Sequence, residues 1–215
     1  AGVAVSVLDS FEAPTADVLS DNDTFNDLVN SVVSGLLSLV DFSDDSITSR
    51  EYVFLSSIFI HFWRKGEGLT MENVIGSIVN PPFKKIGVFG LDTFYPQKER
   101  MELAMKFNSI IASPAFSGWT QGEPLDIQKI LYGRDGTPQT AIFSIAHLGE
   151  TERMFFVTML LNKMVDWMRR QQGSSSLKAL LYMDEIFGYF PPTANPPSKK
   201  PMLLLLKQAR AYGIG

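Results

Sequence analysis

The chain has 215 residues, of which 45% are hydrophobic and 20% are charged, and it contains no cysteine. This length allows one sizeable domain or a core with an insertion, and the missing cysteines exclude disulfides and thiolate metal sites. The formal net charge of −4 argues against a protein that coats nucleic acid, although a local basic strip is compatible with it. Because there are only two histidines, a His-rich metal site is excluded as well.

The first predicted elements are a strand and two amphipathic helices. Residues 3–8 are apolar and β-branched, which predicts a strand rather than a signal peptide. Residues 25–40 carry apolar side chains at spacings of three and four, which predicts a helix capped by Asp21 or Asp23. The same spacing predicts a second helix over residues 49–65.

Three more helices are predicted in the middle of the chain. Thr70 offers an N-cap for a short helix. Pro96 suits the position just before a helix over residues 97–111, because proline is tolerated at the start of a helix. Asp126 can cap a brief helix that continues through Ile130. The predicted helices that precede residue 120 indicate a mostly helical region over much of the first half.

A strand–helix–strand unit is predicted in the second half. Residues 140–145 form a candidate buried strand, a long helix runs over about 150–171, and residues 177–183 form a second apolar strand. Such a unit favours a parallel sheet with a right-handed crossover. We therefore predict an α/β fold whose parallel sheet is interrupted by a helical insertion over residues 15–120.

Two adjacent carboxylates, Asp184 and Glu185, directly follow the second predicted strand. Ligands of open parallel sheets bind outside the carboxyl ends of the strands. An Asp at this point can hold Mg²⁺ near phosphates, and a Glu can polarise an attacking water, as in a Walker B element. A strand that simply ends in solvated acids is the plainer alternative, and the apolar strand and the crossover unit favour the Walker B interpretation over it.

No segment matches G-x-x-x-x-G-K-[ST], the loop that cradles the phosphates in such proteins. The sequence therefore predicts part of a nucleotide motor that is separated from its phosphate-binding loop. Since both ends of the sequence look cut, we expect a fragment of a longer protein. No apolar run approaches the length of a membrane-spanning helix, and we expect a cytoplasmic protein that does not bind a membrane.

Within the basic segment of residues 199–215, a helix is predicted that Pro201 begins and Gly213 ends. Lys207 and Arg210 lie on its last turns. These cations either complement the helix dipole, or Arg210 clamps a γ-phosphate in its own subunit or in a neighbouring one. The sequence leaves both alternatives open.

Three weaker features accompany these motifs. His147, at the end of the first strand of the crossover unit, is more typical of a structural hydrogen bonder than of a catalyst. Lys199 and Lys200 are the basic pair that we would most readily place in a nucleic-acid channel. The aromatic residues Phe187, Tyr189 and Phe190 could stack on bases, but packing in the core is the more economical interpretation.

At these motifs the chain resembles HerA/FtsK-type P-loop ATPases, and among them bacterial proteins described as ATP-binding or HerA-like helicases. The resemblance is carried by Leu-Leu-Tyr-Met-Asp-Glu-Ile-Phe-Gly-Tyr-Phe-Pro-Pro at residues 180–192 and by Leu-Lys-Gln-Ala-Arg-Ala-Tyr-Gly at residues 206–213. Residues 143–148 and 152–157 are similar to the strand and helix that precede the family's Walker B element. The resemblance is specific over residues 122–215 and weaker over the helical part.

The resemblance implies a partial RecA-like core of residues 1–14 and 121–215, with residues 15–120 as the helical insertion. It also implies a ring of subunits, commonly six, and ATP-driven movement along double-stranded DNA. The Walker A loop and the following sensor strand are missing from this sequence. ATP and Mg²⁺ are therefore expected in the full-length parent, and the fragment alone is expected to be inactive.

Three residues match functional positions of the family. Asp184 matches the Walker B Asp and would bind both the metal and, through it, the nucleotide. Glu185 matches the catalytic Glu. Arg210 matches an Arg that the family carries on the helix before its sensor strand, which makes it the second catalytic candidate.

Two hypotheses from other classes compete with the motor. One is a non-catalytic α/β scaffold that binds protein partners through its helical insertion, in which case Phe59, Phe62 and Trp63 would form an interaction surface rather than a core. The other is a DNA-binding adaptor, which would show a steep salt dependence of DNA binding.

Overall fold

A computed structural model describes residues 3–8, 11–40, 48–113, 116, 119 and 122–215. The chain divides into two compact units, Ala1–Pro124 and Leu125–Gly215, which we call the N-terminal and C-terminal units. The described residues are mostly helical and include a small two-stranded parallel sheet. The predicted α/β class is confirmed at this level, whereas the RecA-like core and the predicted domain assignment stay predictions.

The N-terminal unit is built mainly from helices. They are α1 (Ala16–Ser20), α2 (Asn22–Leu39), α3 (Arg50–Trp63), α4 (Met71–Val79), α5 (Leu91–Phe94) and α6 (Gln97–Ala112). The caps explain where the longer helices begin: the Asp21 carboxylate accepts from the amide of Asp23, and the Thr70 hydroxyl accepts from the amide of Asn73. The predicted helices of this region are confirmed.

The strands of the N-terminal unit are short. β1 (Val5–Ser6) pairs in parallel with β4 (Glu123–Pro124), so the strand predicted over residues 3–8 is confirmed for two residues. β2 (Lys85–Ile86) and β3 (Phe89–Gly90) form an antiparallel hairpin. These pairs are small additions to a helical unit.

Aromatic side chains form the core of the N-terminal unit. Phe59 and Trp63 lie on α3 and are 0% and 1% exposed, and their ring centroids are 5.0 Å apart in an edge-on arrangement. The ring of Phe11 packs edge-on against Phe59 at 5.5 Å, and the Trp63 indole nitrogen donates to the Phe11 carbonyl oxygen (3.2 Å). Helix α3 contacts α2 and α4, and α4 contacts α6, so this core joins the long helices.

The C-terminal unit contains three α-helices and two short 3-10 helices among its described residues. They are α7 (Ile127–Leu131), α8 (Glu150–Arg169), the 3-10 helix Ile186–Gly188, α9 (Lys199–Gln208) and the 3-10 helix Ala209–Tyr212. Helix α9 begins two residues before Pro201, and Gly213 ends the second 3-10 helix with φ 76°. The predicted helices of this half are confirmed.

The two buried strands predicted in the second half are wrong. Residues 140–145 are exposed or half-buried, with Ile142 89% exposed, and no described residue pairs with them in a β-ladder. Residues 177–183 contain a single parallel bridge, between Ala179 and Ile214. An apolar pattern alone does not make a strand, because a strand also needs neighbours for its amides and carbonyls, and the described residues supply them only next to that bridge.

In the described part of the chain, no helix combines the length and the apolar character needed to cross a bilayer. The expected cytoplasmic location stays a prediction.

Candidate functional site

Helices α8 and α9 lie side by side and run in the same direction. The Ser198 hydroxyl, just before α9, is 3.3 Å from the sulfur of Met154 near the start of α8. Beyond the other end of α8, the Ser174 amide donates to the Ala211 carbonyl oxygen (3.0 Å), just after α9. The two helices therefore begin at one end of the C-terminal unit and finish at the other.

The extended segment of residues 177–183 runs in the opposite direction to these helices. It leaves the end where the helices finish, because the Lys178 amide donates to the Gly213 carbonyl oxygen (2.6 Å). Its parallel pairing continues with the Leu181 amide, which donates to the Gly215 carbonyl oxygen (2.9 Å). Since the segment has no turn or bend, it carries the chain back toward the helix starts.

The side chains of this segment alternate between the interior and water, as expected of an extended backbone. Ala179 is buried and Leu181 is half-buried, whereas Leu180 and Tyr182 are 67% and 81% exposed. The segment therefore packs on one face only. The acidic pair therefore follows a segment that packs on one face only, and not the buried strand that the apolar pattern predicts.

Asp184 and Glu185 lie at the end of the unit where α8 and α9 begin. The connection is close, because Tyr189, four residues past Glu185, accepts a hydrogen bond from the buried Ser198 hydroxyl (2.7 Å). Both acidic side chains are exposed. Neither forms an ion pair within the described part of the chain, so their carboxylates are available to an external ligand.

The backbone of Glu185 adopts a left-handed conformation, with φ 60° and ψ 63°. It is the single non-glycine residue with positive φ among the described residues, and the conformation costs about 1 to 2 kcal/mol for a residue with a Cβ. It directs the chain from the extended segment into the 3-10 helix Ile186–Gly188. Strained residues of this kind cluster at functional sites, which makes Glu185 the stronger of the two acidic candidates.

Arg210 lies at the opposite end of the unit. Its carbonyl oxygen accepts from the Gly213 amide (3.1 Å), and Gly213 in turn pairs with Lys178 as described above. From Lys178 to Asp184 an extended chain spans roughly 20 Å at about 3.3 Å per residue. The structure therefore does not bring Arg210 and the acidic pair together within one chain, and a clamp acting on a neighbouring subunit is the alternative that stays open.

Lys199 and the proline-rich loop have a structural explanation. The Lys199 ammonium group donates to the carbonyl oxygens of Pro192 (3.2 Å) and Ala194 (2.7 Å), and it thereby fastens the loop to the start of α9. Lys200 is exposed at the same end of the unit as the acidic pair. Phe187 is 75% exposed, so the prediction that it packs in the core is wrong.

His147 is exposed in a turn between residues 145 and 148. Its ring has no hydrogen-bond partner within the described residues, so the structure supplies no support for the structural role that the sequence favoured.

A nucleotide–metal site fits this chain only in part. Mg²⁺ is commonly held by one or two carboxylates together with substrate phosphates, and Asp184 and Glu185 can supply the carboxylates. No group of three or more His, Cys, Asp or Glu within the described residues could hold a metal by itself. The sequence also has no loop to cradle phosphates, so the residues present do not form a complete ATP site.

The interaction surface predicted for the scaffold hypothesis is not a surface. Phe59 and Trp63 belong to the aromatic core, and Phe62 is half-buried. The exposed large apolar side chains of the N-terminal unit lie elsewhere, at the β2–β3 hairpin and on α6, and they include Val88, Phe89, Met101 and Met105.

Sequence reasoning missed how unevenly the charge is divided. The C-terminal unit has 11 Lys and Arg against 7 Asp and Glu, a net charge of +4, whereas the N-terminal unit has 8 against 16, a net charge of −8. The overall value of −4 conceals this difference. A count of charges over each half of the chain would have shown it.

The chain matches no protein-family model, no curated protein and no solved structure. The site must therefore be judged on its own geometry.

Proposed function

We propose that this chain is part of an ATP-hydrolysing motor of the HerA/FtsK kind, which moves along double-stranded DNA as a ring of subunits, commonly six. The observation that carries the proposal is the position of the acidic pair. Asp184 and Glu185 are exposed at the carboxyl end of an extended segment that pairs in parallel with residues 213–215. Carboxyl ends of parallel strands are where α/β proteins bind nucleotides.

In this proposal the two carboxylates have different roles. Asp184 would hold Mg²⁺, and Glu185 would accept a hydrogen bond from the attacking water and orient it. When bound, Mg²⁺–ATP supplies the transferable phosphoryl group, and the metal neutralises charge on its oxygens. The phosphate-binding loop belongs to another part of the full-length parent protein.

Arg210 is assigned to a neighbouring subunit's nucleotide. Its separation from the acidic pair by roughly 20 Å of extended chain leaves no role at its own subunit's Asp184. In a closed ring, the residues at one end of a subunit meet a different surface of the next. An arginine supplied in this way stabilises charge on the transferring phosphoryl group.

The test is a substitution in the full-length parent protein. Glu185→Gln removes the charge that orients water and keeps the shape of the side chain, so kcat for ATP hydrolysis should fall by about 100-fold or more, with KM nearly unchanged. The matched control is Glu150→Gln, an exposed carboxylate at the same end of the unit, which should leave kcat within about twofold. Equal turnover in the two variants would remove Glu185 from the mechanism.

Mixing two inactive variants tests the position of Arg210. Arg210→Ala subunits keep Glu185, and Glu185→Gln subunits keep Arg210. In an equal mixture, about a quarter of the ring interfaces would combine both native residues, so part of the activity should return. No recovery on mixing would contradict the assignment of Arg210 to the neighbouring subunit while leaving the role of Glu185 intact.

A further inference from the structure

The positive charge of the C-terminal unit is concentrated at the end where α8 and α9 finish. We call this region the basic end. It comprises Arg169, Arg170, Lys178, Lys207 and Arg210.

Three separate segments meet at the basic end. The loop after α8 is joined to the turn after α9 by the bond from the Ser174 amide to the Ala211 carbonyl oxygen (3.0 Å). The extended segment joins the same turn through the pairing of Lys178 with Gly213. In addition, the Lys178 ammonium group donates to the Gln172 carbonyl oxygen (2.7 Å). The cations are therefore gathered by the fold and are not a run in the sequence.

The segments that carry these cations contain little negative charge. Residues 167–183 and 186–215 contain no Asp or Glu. Asp166 is the one carboxylate on the last two turns of α8, and it pairs with Arg170 (2.5 Å). Even with Asp166 counted, the basic end carries a net charge of +4.

Stabilisation of the helices accounts for only part of this arrangement. Cations near the last turn of a helix interact favourably with its dipole, which explains Arg169, Arg170 and Lys207. Arg210, two residues beyond the end of α9, benefits in the same way, whereas Lys178 lies on the extended segment, where the helix dipole gives no reason for a charge. Mutual repulsion among five cations also opposes their gathering, and a polyanionic ligand would relieve it.

We propose that the basic end binds the phosphodiester backbone of a nucleic acid. This inference adds a DNA-binding site to the proposed function. It rests on the proposed function only for the choice of nucleic acid as the partner. Three of the five cations are arginines, whose planar fork matches phosphate oxygens. The charges form a compact end contributed by three segments, unlike the long amphipathic helix that typically lies on a membrane surface.

The same geometry argues against Lys199 and Lys200 as the nucleic-acid contact. These two residues lie where the helices begin, beside the acidic first turn of α8 and the acidic pair. The four carboxylates at that end are Glu150, Glu152, Asp184 and Glu185. They make it the less favourable end for a polyanion.

The test measures DNA binding as a function of salt, without any nucleotide. Fluorescence anisotropy of a labelled duplex of about 20 base pairs is followed from about 25 to 200 mM KCl. The double variant Arg170→Gln/Lys207→Gln removes two charges and leaves Arg210 intact, because the motor proposal assigns Arg210 to ATP hydrolysis. The slope of log K against log salt should become shallower by about 1.8, or about 0.9 per lost phosphate contact.

The matched control is Arg153→Gln/Lys200→Gln, an arginine and a lysine at the end where α8 and α9 begin. It removes the same charge from the same unit, and its slope should equal that of the unsubstituted chain. Thermal unfolding of both double variants checks that each is folded. A control slope reduced as much as that of the test variant would overturn the proposal, since it would mean that binding depends only on net charge.

Two other outcomes also overturn it. The first is absence of DNA binding at the lowest salt concentration. The second is binding to phosphatidylserine vesicles that Arg170→Gln/Lys207→Gln abolishes while DNA binding is unaffected, which would assign the basic end to a lipid surface. Because the assay contains no nucleotide, an inactive ATPase would leave this proposal standing, and failure to bind DNA would leave the Glu185 experiment unaffected.

Discussion

The two units of this chain bury their apolar side chains to different extents. In the N-terminal unit, helices bury large aromatic rings against one another, and Phe54, Phe59 and Phe107 are fully inaccessible to water. In the C-terminal unit, apolar side chains of the extended segments face water, as Ile142 and Tyr182 do. The difference shows that helices and strands depend on their surroundings to different degrees.

A helix satisfies its own backbone hydrogen bonds and needs only one apolar face covered. A strand must find partners for its amides and carbonyls on a neighbouring strand. Helices α2 and α3 meet their requirement by packing on each other. The segment of residues 177–183 meets its requirement over only a few residues, where it pairs with residues 213–215. The same strength of apolar pattern therefore gave a packed core in one unit and an exposed face in the other.

The largest effect is expected in the aromatic core. Phe59→Ala would remove a fully buried ring that packs against Phe11 and Trp63, and it would leave a cavity among rigid helices. The free energy of unfolding of the N-terminal unit should fall by about 3 to 5 kcal/mol. Urea unfolding followed by tryptophan fluorescence measures it, because Trp63 lies 5.0 Å from the substituted ring.

Phe89→Ala is the matched control for that experiment, because Phe89 is a phenylalanine of the same unit that lies exposed on the β2–β3 hairpin. Its substitution should change the free energy of unfolding by less than about 0.5 kcal/mol. Similar losses for the two variants would contradict the description of Phe59 as part of a tightly packed core.

A buried tyrosine gives the N-terminal unit a dependence on pH. The Tyr95 side chain is almost inaccessible to water, and its burial raises the pKa of the phenol well above its usual range. The negative charges of Glu51 and Glu99 raise the pKa further, as does the hydrogen bond that the phenol donates to Glu51, and the Arg50 guanidinium opposes them. The folded unit therefore holds Tyr95 in its neutral form.

The sign of the pH effect follows from linkage. The folded state keeps the Tyr95 proton after the unfolded state has begun to lose it, so stability falls as pH rises above about 10, the value for a free tyrosine. Tyr95→Phe should cost about 1 kcal/mol at neutral pH through the lost hydrogen bond. It should also flatten the decline above about pH 10. Urea unfolding at several pH values compares the two proteins. If the free energy of unfolding declined equally steeply with pH in both, the proton of Tyr95 would not be the cause of the decline.

The helices could be predicted from the sequence because their signals are local. The Asp21 and Thr70 caps and the three-and-four spacing of apolar residues determine a helix within its own length, and the structure agrees at each of them. The strand pattern of residues 140–145 and 177–183 was equally clear. It failed because it reports which residues tolerate burial and does not report whether partner strands are present.

The candidate site divides in the same way. Neighbouring residues in the sequence were enough to predict that Asp184 and Glu185 end an extended segment. The distance from this pair to Arg210 could not be predicted, because it depends on the parallel packing of α8 and α9 and on the opposite direction of the extended segment. The basic end could not be predicted either, since its five cations come from three segments that only the fold brings together.

The smallest effect is expected on the open face of the C-terminal unit. Tyr182→Ser exchanges a side chain that is 81% exposed and that already makes few contacts when the chain is folded. Because little apolar surface is removed from water at this position, the free energy of unfolding should change by less than about 0.5 kcal/mol. Urea unfolding followed by the fluorescence of Trp167, which is buried in the same unit, measures it. A loss comparable to that of Phe59→Ala would mean that Tyr182 is covered in solution, and the contrast between the two units would then no longer hold.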